Sequence, residues 1–327
     1  MIIPVFIPQQ GCPHQCVFCN QETISGQKVL GLTAAKEQII KYVQWLKSGE
    51  ENEMAFYGGT FTGLPLEEQK ELLSLATQYR DKGIISSIRL STRPDYINKE
   101  IIELLQSYKV TTVELGTQSL DNEVLQASGR GHNAEDVIKA FRALKEAGFT
   151  VGLQLMVGLP KQSFDSFKAT VATTVQLKPD LVRIYPLLVI KNTPLAKMYE
   201  MGTYLPLTLE EAVKESSYAY ELFREHNINV IRMGLQPDDE LCAPGNIIAG
   251  PFHPSFGELV KSYGYRMKVQ SYIDNLPKGV KKITVIHTPK EASVVRGLNK
   301  SNVAFWEKDN IEVSFEVGDK FYIKAEK

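Results

Sequence analysis

The sequence has little cysteine and no surplus of charge of either sign. Four cysteines in 327 residues are too few for a scaffold held together by disulfides. Lysine plus arginine (37) nearly equals aspartate plus glutamate (38), so the total charge indicates no polyanionic partner. Any contact with nucleic acid would therefore need a local basic patch.

Long apolar runs are also missing. The N-terminal stretch has no basic region and is interrupted by Pro4 and Pro8, so we expect a strand of a cytoplasmic protein rather than a signal peptide. No later stretch is apolar for long enough to span a bilayer, and we expect no membrane partner. With 43% hydrophobic residues the chain can bury a large core, which excludes a disordered or fibrous protein.

Short apolar runs alternate with segments of helical period up to about residue 232, and this alternation predicts parallel βαβ units. The predicted strands are residues 2–7, 54–57, 88–91, 112–116, 151–157, 181–185 and 229–233. The predicted helices lie near 33–47, 66–80, 98–107, 134–147, 163–177 and 208–226. Thr33 and Asn98 are predicted to cap the first and third helices, and Gly148 to follow the fourth.

Six or so such units favour a partial or full α/β barrel, although periodicity alone leaves a doubly wound open sheet as the alternative. Turn-rich segments after Met233 predict a boundary between a barrel domain, residues 1–235, and a small α/β cap on the barrel mouth, residues 236–327. The cap is predicted to contain a helix near 255–274, a strand at 282–287, a helix at 292–306 and a terminal hairpin of 311–315 and 320–325.

Three of the four cysteines, Cys12, Cys16 and Cys19, follow the first predicted strand with the spacing C-x3-C-x2-C. Three thiolates on one loop can ligate three irons of a [4Fe–4S] cubane and leave the fourth iron open to another ligand. The alternative is a zinc site with His14 as the fourth ligand, although structural zinc usually takes its ligands from two separated knuckles. Cys242 stands alone and is interpreted as an ordinary free thiol.

The cysteine loop resembles the signature of the radical S-adenosylmethionine (SAM) superfamily. Downstream segments, above all residues 183–193, resemble its Elp3-like branch and, more distantly, oxygen-independent coproporphyrinogen oxidase. The resemblance covers roughly residues 4–233 and implies a partial (β/α)6-type radical SAM barrel with a [4Fe–4S] cluster and SAM as cofactors. It also implies reductive cleavage of SAM and an external electron donor such as flavodoxin or ferredoxin. No acetyl-CoA-type glycine-rich loop follows residue 235, so we do not expect acetyl transfer.

The resemblance also implies a SAM pocket at the strand ends. A glycine-rich turn would bring the main chain against the SAM amino group, and an arginine would pair with the methionyl carboxylate. At two positions this chain has Ser91 and Gln154 where relatives carry acids. The implied cofactor-binding residues are Phe18, Gly58, Gly59, Thr60, Ser91, Gln118, Arg130 and Gln154.

The candidate substrate contacts are polar and aromatic residues predicted to lie near the barrel mouth: Tyr185, Lys191, Arg232, His253 and Phe256. For each of them the alternative is an ordinary role in packing or in a turn. From residue 236 onward 13 Lys/Arg face 12 Asp/Glu, and Lys278, Lys281 and Lys282 form only a modest cluster. The leading hypothesis is hydrogen abstraction from a nucleobase-like small molecule or a tRNA base, for instance in a queuine lyase-like salvage step. The alternatives are a porphyrin-directed oxidase or haem-handling protein, and a non-catalytic metal-binding scaffold.

Overall fold

The structure, a computed structural model, describes residues 1–7, 11–13, 16–26, 31–46, 51–277, 279–309 and 311–326. His14 and Lys278 lie outside the described residues. The strands are β1 (Ile2–Phe6), β2 (Glu53–Tyr57), β3 (Ser87–Thr92), β4 (Thr112–Gln118), β5 (Thr150–Val157), β6 (Leu181–Pro186), β7 (Val189–Ile190), β8 (Asn229–Met233), β9 (Ile247–Ala249), β10 (Lys282–His287), β11 (Glu312–Val317) and β12 (Tyr322–Glu326). The α-helices are α1 (Gln21–Ser25), α2 (Leu32–Val43), α3 (Leu66–Asp81), α4 (Lys99–Ser107), α5 (Asn122–Ala127), α6 (Ala134–Glu146), α7 (Phe164–Leu177), α8 (Pro194–Glu200), α9 (Leu209–Glu225), α10 (Phe256–Asp274), α11 (Ala292–Arg296) and α12 (Ser301–Trp306).

The main sheet has seven strands within the described residues, in the order β1-β2-β3-β4-β5-β6-β8, and every neighbouring pair is parallel. A doubly wound sheet would reverse its strand order at a switch point, whereas here the spatial order follows the chain. The sheet is a curled half-barrel, so the predicted partial α/β barrel is confirmed and the open doubly wound sheet is excluded. All seven predicted strands are present, and the strand predicted at 229–233 has the observed bounds.

Alternation along each strand separates the two faces of this sheet. In β3, Ile88 and Leu90 face the helices and are fully buried, whereas Arg89 and Ser91 face the barrel interior. The outward residues pack against α2, α3, α4 and α6 in one core, and against α7 and α9 in a second. The polar residues of the strands are therefore collected on the concave side.

Two of the three predicted helix-end signals are confirmed. Asn98 caps α4 by accepting from the Ile101 N–H, and Gly148 follows α6 with a φ of 87°. The predicted Thr33 cap is wrong, because α2 begins one residue earlier at Leu32 with Gly31 in the cap position.

The C-terminal elements differ from the prediction in two ways. The predicted terminal hairpin is wrong: β11 and β12 both pair with β10 and lie on opposite sides of it, β11 parallel and β12 antiparallel. The strand β10 is buried along nearly its whole length and so takes the centre of this small sheet. The predicted helix at 292–306 is broken into α11 and α12 by a kink at residues 297–300, where Asn299 and Lys300 have positive φ.

The helix α10 joins these elements to the barrel. It begins beside the end of β8 and runs along α9, where Gly264 comes close to Ser217 and Glu221, and Lys268 pairs with Glu221 at 2.6 Å. The C-terminal sheet packs against α10 in a core of its own, whereas the residues near the mouth come from 235–252. The predicted cap on the barrel mouth and the boundary at 235/236 stay predictions.

Two further findings concern surfaces. Lys282 is engaged by Glu312 at 3.4 Å and by Glu326 at 3.3 Å, so it does not contribute to a free basic patch. Among the described residues, no helix combines the length and apolarity needed to cross a bilayer.

Candidate active site

The cysteine loop is fixed to the turn that follows β2 by close main-chain packing. A Cβ on Gly11 would lie 2.2 Å from the Thr60 carbonyl oxygen, and one on Gly63 would lie 2.2 Å from the Gly11 oxygen. Gly11 also has a φ of 71°, a conformation that side chains other than glycine rarely adopt. The Cys12 Sγ lies 3.1 Å from the Thr60 hydroxyl. These contacts place the loop at the carboxyl ends of the strands.

The same loop is tied to the opposite side of the mouth. The Val17 N–H donates to the Ser128 carbonyl at 3.1 Å, and the Leu195 N–H donates to the Val17 carbonyl at 2.8 Å. Phe18 packs in a partly buried position against a cluster that includes Met156 and Leu187. Phe18 therefore lies near the mouth, where the described contacts show it packing; its predicted place beside a cofactor stays a prediction.

The three sulfurs differ in exposure and in partners. Cys12 is exposed, Cys16 is buried and accepts from Arg130 Nη1 at 3.1 Å, and Cys19 accepts from Gln21 Nε2 at 3.6 Å. Desolvation, followed by the charge of Cys16, raises the pKa of the Cys19 thiol to about 12. A nearby positive centre is therefore needed to hold Cys19 as a thiolate.

Within the described residues, no three His, Cys, Asp or Glu side chains are arranged around a single metal ion. A cubane, in which each thiolate holds a different iron, needs its sulfurs further apart than the ligands of one zinc. The three cysteines, on one tethered loop and electrostatically coupled, fit the donor set of such a cluster.

Arg130 lies directly beside the cysteine loop. Its buried guanidinium donates to Cys16 Sγ and, through Nη2 at 2.6 Å, to the Gly116 carbonyl. Its Nε–H is buried and has no acceptor among the described residues. An unmet donor on a buried cation is costly, and a carboxylate from a ligand would satisfy it. Arg130 therefore fits the predicted role toward the carboxylate of SAM.

Gln118 and Gln154 lie side by side at the ends of β4 and β5. The Gln154 Nε2 donates to Gln118 Oε1 at 3.1 Å. Gln118 has a φ of 65°, at a point where the β4–β5 register shifts. A left-handed conformation costs a non-glycine residue about 1–2 kcal/mol, and within a strand it persists only where the surrounding structure holds it. The structure thus brings these two predicted residues together.

The remaining predicted SAM residues lie around the same end of the sheet. Gly58 and Gly59 follow β2, Gly58 with a φ of 94°, and Thr60 beside Cys12 is buried. Ser91 is half-buried on the concave face of β3. They line the concave side on which the cysteine loop and Arg130 meet.

A largely buried network of ion pairs and hydrogen bonds crosses the barrel interior below these residues, and we call it the floor: Glu53, Tyr57, Arg89, Glu114, Arg183 and Tyr185. Glu114, with a side chain 3% exposed, accepts from Arg89 Nη1 at 2.8 Å and from Arg183 Nη2 at 3.0 Å and Nε. Arg89 Nε also pairs with Glu53 at 2.8 Å, and Arg183 Nη2 reaches Tyr57 on the far side of the barrel at 3.0 Å. Sequence reasoning missed the floor, although charged residues at inward positions of four apolar strands were a usable signal.

The candidate substrate residues separate into two groups. Tyr185 accepts from Arg183 Nη1 at 3.3 Å, and Arg232 lies beside Arg183 in the β6–β8 register, so both face the barrel interior. Lys191 is exposed at the rim, where its N–H donates to the Asn246 carbonyl at 2.9 Å.

The other two candidates serve local structure. The His253 Nδ1 accepts from the Ser255 N–H at 3.0 Å and so shapes the turn before α10. Phe256 is only 2% exposed and packs in the core with Val213 and Val260, where α10 meets α9. Phe256 therefore packs α10 against α9 and does not line the mouth, contrary to its prediction as a substrate contact.

A second feature that sequence reasoning missed supports the loop bearing Arg130. Arg93 holds Asp95 through two bonds, at 3.0 and 2.8 Å, and also donates to the Arg130 carbonyl. His132 is buried with its Nδ1 4.0 Å from Asp95. Burial, followed by the charges of Arg130 and Arg93, lowers the pKa of His132 to about 3, so it packs as a neutral ring.

Residues 6–173 match the family model described as the radical SAM superfamily, and residues 179–266 match the radical SAM C-terminal domain. The chain is 29% identical over 304 residues to the tRNA uridine(34) acetyltransferase of Methanocaldococcus infernus, covering 80% of this chain and 56% of that protein. It is 26% identical over 245 residues to the oxygen-independent coproporphyrinogen-III oxidase-like protein HemZ of Bacillus subtilis, covering 69% of this chain and 49% of that protein.

Among solved structures, the chain is similar to the archaeal M. infernus Elp3 with an N-terminal deletion, with a TM-score of 0.62 and 29% identity over 82% of this chain and 63% of that one. The chain thus spans about half the length of these two curated relatives, 56% and 49%.

Proposed function

The chain belongs to the radical SAM superfamily, and from this premise we propose that it abstracts hydrogen from a nucleobase-like small molecule or a tRNA base. A queuine lyase-like salvage step in modified-nucleoside metabolism is the specific reaction we favour. The likeness to a tRNA uridine(34) acetyltransferase over 80% of this chain supports a base as the substrate. The cofactors are a [4Fe–4S] cluster and SAM. When bound, they supply reductive cleavage of the SAM sulfonium and with it a radical that takes hydrogen from the substrate.

The observation that carries the proposal is the meeting of the cysteine loop and Arg130 at the mouth. Cys12, Cys16 and Cys19 would hold the cluster on a loop that main-chain packing fixes in place. Arg130, with its Nε–H still unmet among the described residues, would hold the SAM carboxylate. We propose that an external donor such as flavodoxin or ferredoxin supplies the electron and that the protein works in the reducing cytoplasm, where cysteines stay free to ligate a cluster.

The test is substrate-dependent formation of 5′-deoxyadenosine. Anaerobically reconstituted protein is incubated with SAM and dithionite, with queuine, with tRNA, or with neither. We expect the product to rise above the uncoupled background with one of the two substrates, to be lost in Cys16→Ala, and to persist in the matched control Cys242→Ala. A fully loaded protein with no substrate-dependent rise would contradict the proposal.

A second candidate, a porphyrin-directed oxidase or haem-handling protein, is supported by the likeness to HemZ over 69% of this chain. Coproporphyrinogen III in the same assay, followed by its visible absorbance on oxidation, separates this candidate from the first. A non-catalytic scaffold would be recognised by metal analysis, since it predicts zinc without iron and sulfide.

A further inference from the structure

The floor ends at the mouth in two tyrosine hydroxyls bound to one guanidinium. Arg183 donates through Nη2 to the Tyr57 oxygen at 3.0 Å and through Nη1 to the Tyr185 oxygen at 3.3 Å. Tyr57 is the last residue of β2 and Tyr185 the second-to-last of β6, and both are half-buried on the concave side. Both hydroxyls are therefore held by the two terminal nitrogens of one guanidinium, where the floor meets the space below the cysteine loop.

The direction of the hydroxyl protons follows from these bonds. A phenol oxygen that accepts an N–H still has its own O–H to donate. Within the described part of the chain, no residue accepts a hydrogen bond from Tyr57 or Tyr185. Burial, followed by the charge of Glu114, raises the pKa of Tyr57, so its proton stays on. The floor thus presents two hydrogen-bond donors to the mouth.

The charges beneath these donors are balanced. Arg89 and Arg183 face Glu53 and Glu114, and every one of these four side chains is paired within the network. A carboxylate or phosphate bound by Arg183 would compete with Glu114 for that guanidinium and would leave the buried Glu114 carboxylate short of a partner. A neutral group that only accepts hydrogen bonds from the tyrosines would leave the Glu114–Arg183 pair intact. Arg232, on the neighbouring strand, lies outside the network, with its Nε bound to the Gly234 carbonyl at 3.1 Å.

We propose that Tyr57 and Tyr185, oriented by Arg183, are the donors that recognise the carbonyl or ring-nitrogen acceptors of a neutral heterocyclic ring in the substrate. This inference rests on the proposed function and narrows its substrate class. Tyr57 and Tyr185 contact the ring, and Arg183 is a positioning residue that acts through them.

The experiment measures the binding of queuine by calorimetry to anaerobically reconstituted protein with SAM and without reductant, so that no turnover occurs. Tyr57→Phe and Tyr185→Phe remove only the hydroxyls, and Tyr220→Phe, on the outer helix α9, is the matched control. A net hydrogen bond contributes about 0.5–1.5 kcal/mol, so each floor variant should raise Kd roughly 2- to 13-fold, while Tyr220→Phe leaves Kd unchanged. An unchanged Kd in both floor variants would overturn the inference and leave the proposed function standing.

A double-mutant cycle tests the positioning role of Arg183. Arg183→Lys keeps the charge beside Glu114 but cannot donate to both tyrosines in a fork. It should raise Kd in the wild-type background and have little further effect once both hydroxyls are removed. Equal effects in both backgrounds would show that Arg183 acts through stability alone, and would overturn its positioning role. Wild-type protein that does not bind queuine would overturn the base assignment together with the small-molecule form of the proposed function.

Discussion

Removal of the Glu114 charge should destabilise the barrel more than any surface charge change. The carboxylate accepts from Arg89 and twice from Arg183, and its side chain is only 3% exposed. In Glu114→Gln the shape is kept, but one amide oxygen must replace two charged oxygens, and the amide N–H2 points at cations. Arg89 retains Glu53 at 2.8 Å, whereas Arg183 is left with two tyrosine hydroxyls.

The magnitude follows from what remains unpaired. Removing one partner of a buried ion pair costs about 3–5 kcal/mol, because the remaining charge has lost both water and its counter-ion. The side chains of Arg89 and Arg183 are 12% and 13% exposed, so some water reaches them. We therefore expect the lower end of this range, a decrease of about 3 kcal/mol in the free energy of unfolding.

The assay is equilibrium urea unfolding followed by far-ultraviolet circular dichroism, with the same preparation for every variant. The matched control is Glu67→Gln, which breaks the 2.8 Å pair with Lys70 on α3, where the side chains are 78% and 40% exposed. The control should change stability by less than about 0.5 kcal/mol. If Glu114→Gln cost no more than Glu67→Gln, the floor would not be a stabilising ionic network and the reasoning would be refuted.

Three further predictions concern the site and its supports. Cys16→Ala should abolish iron and sulfide loading in a chemical assay while Cys242→Ala retains both, and equal loading of the two variants would contradict the ligand assignment. Gly11→Ala should lower the free energy of unfolding by more than Gly83→Ala. Both glycines have φ near 70°, but only at Gly11 would the new Cβ clash with a main-chain atom, the Thr60 carbonyl oxygen at 2.2 Å. Equal losses of stability in urea unfolding would refute this prediction. His132 is neutral in the fold with a pKa of about 3, so below pH ~6.5 the unfolded state binds a proton that the folded state does not. The folded state therefore loses stability as pH falls from about 6.5 toward 3. Between pH 6 and 5 the free energy of unfolding should fall by about 1 kcal/mol more in wild type than in His132→Gln. Parallel plots of unfolding free energy against pH for the two proteins would contradict the prediction.

Most of the barrel could be predicted from the sequence because its signals are local. Each strand is a short apolar run and each helix has its own period and end signals, so the order of elements follows from the chain alone. The prediction of a terminal hairpin was wrong because the pairing there is not local. A turn between two short strands favours a hairpin, but β10, buried along nearly its whole length, competes for both partners and separates them. Pairing with a distant strand leaves no local signal.

The site was predictable in part. The cysteine spacing and the strand-end motifs indicate which residues gather at the mouth, since parallel strands end on one side of the sheet. Phe256 was misplaced because an aromatic residue in a turn gives no indication of whether it faces a ligand or a neighbouring helix. The floor was missed because its pairs join strands that are far apart in the chain, such as β2 and β6.

The floor and the mouth of this barrel differ in how completely their polar groups are satisfied. At the floor every charge has a counter-charge, so the ion pairs are complete without a ligand. At the mouth the Arg130 Nε–H is buried without an acceptor in the described residues, Gln118 is held in a strained conformation, and burial together with the charge of Cys16 raises the pKa of the Cys19 thiol. A chain selected for stability alone would lose these features, because each raises the free energy of the folded state. All three features lie where a cluster and a carboxylate-bearing cofactor would bind. Together with the cysteine motif, they indicate that the mouth is the part of the fold completed by ligands.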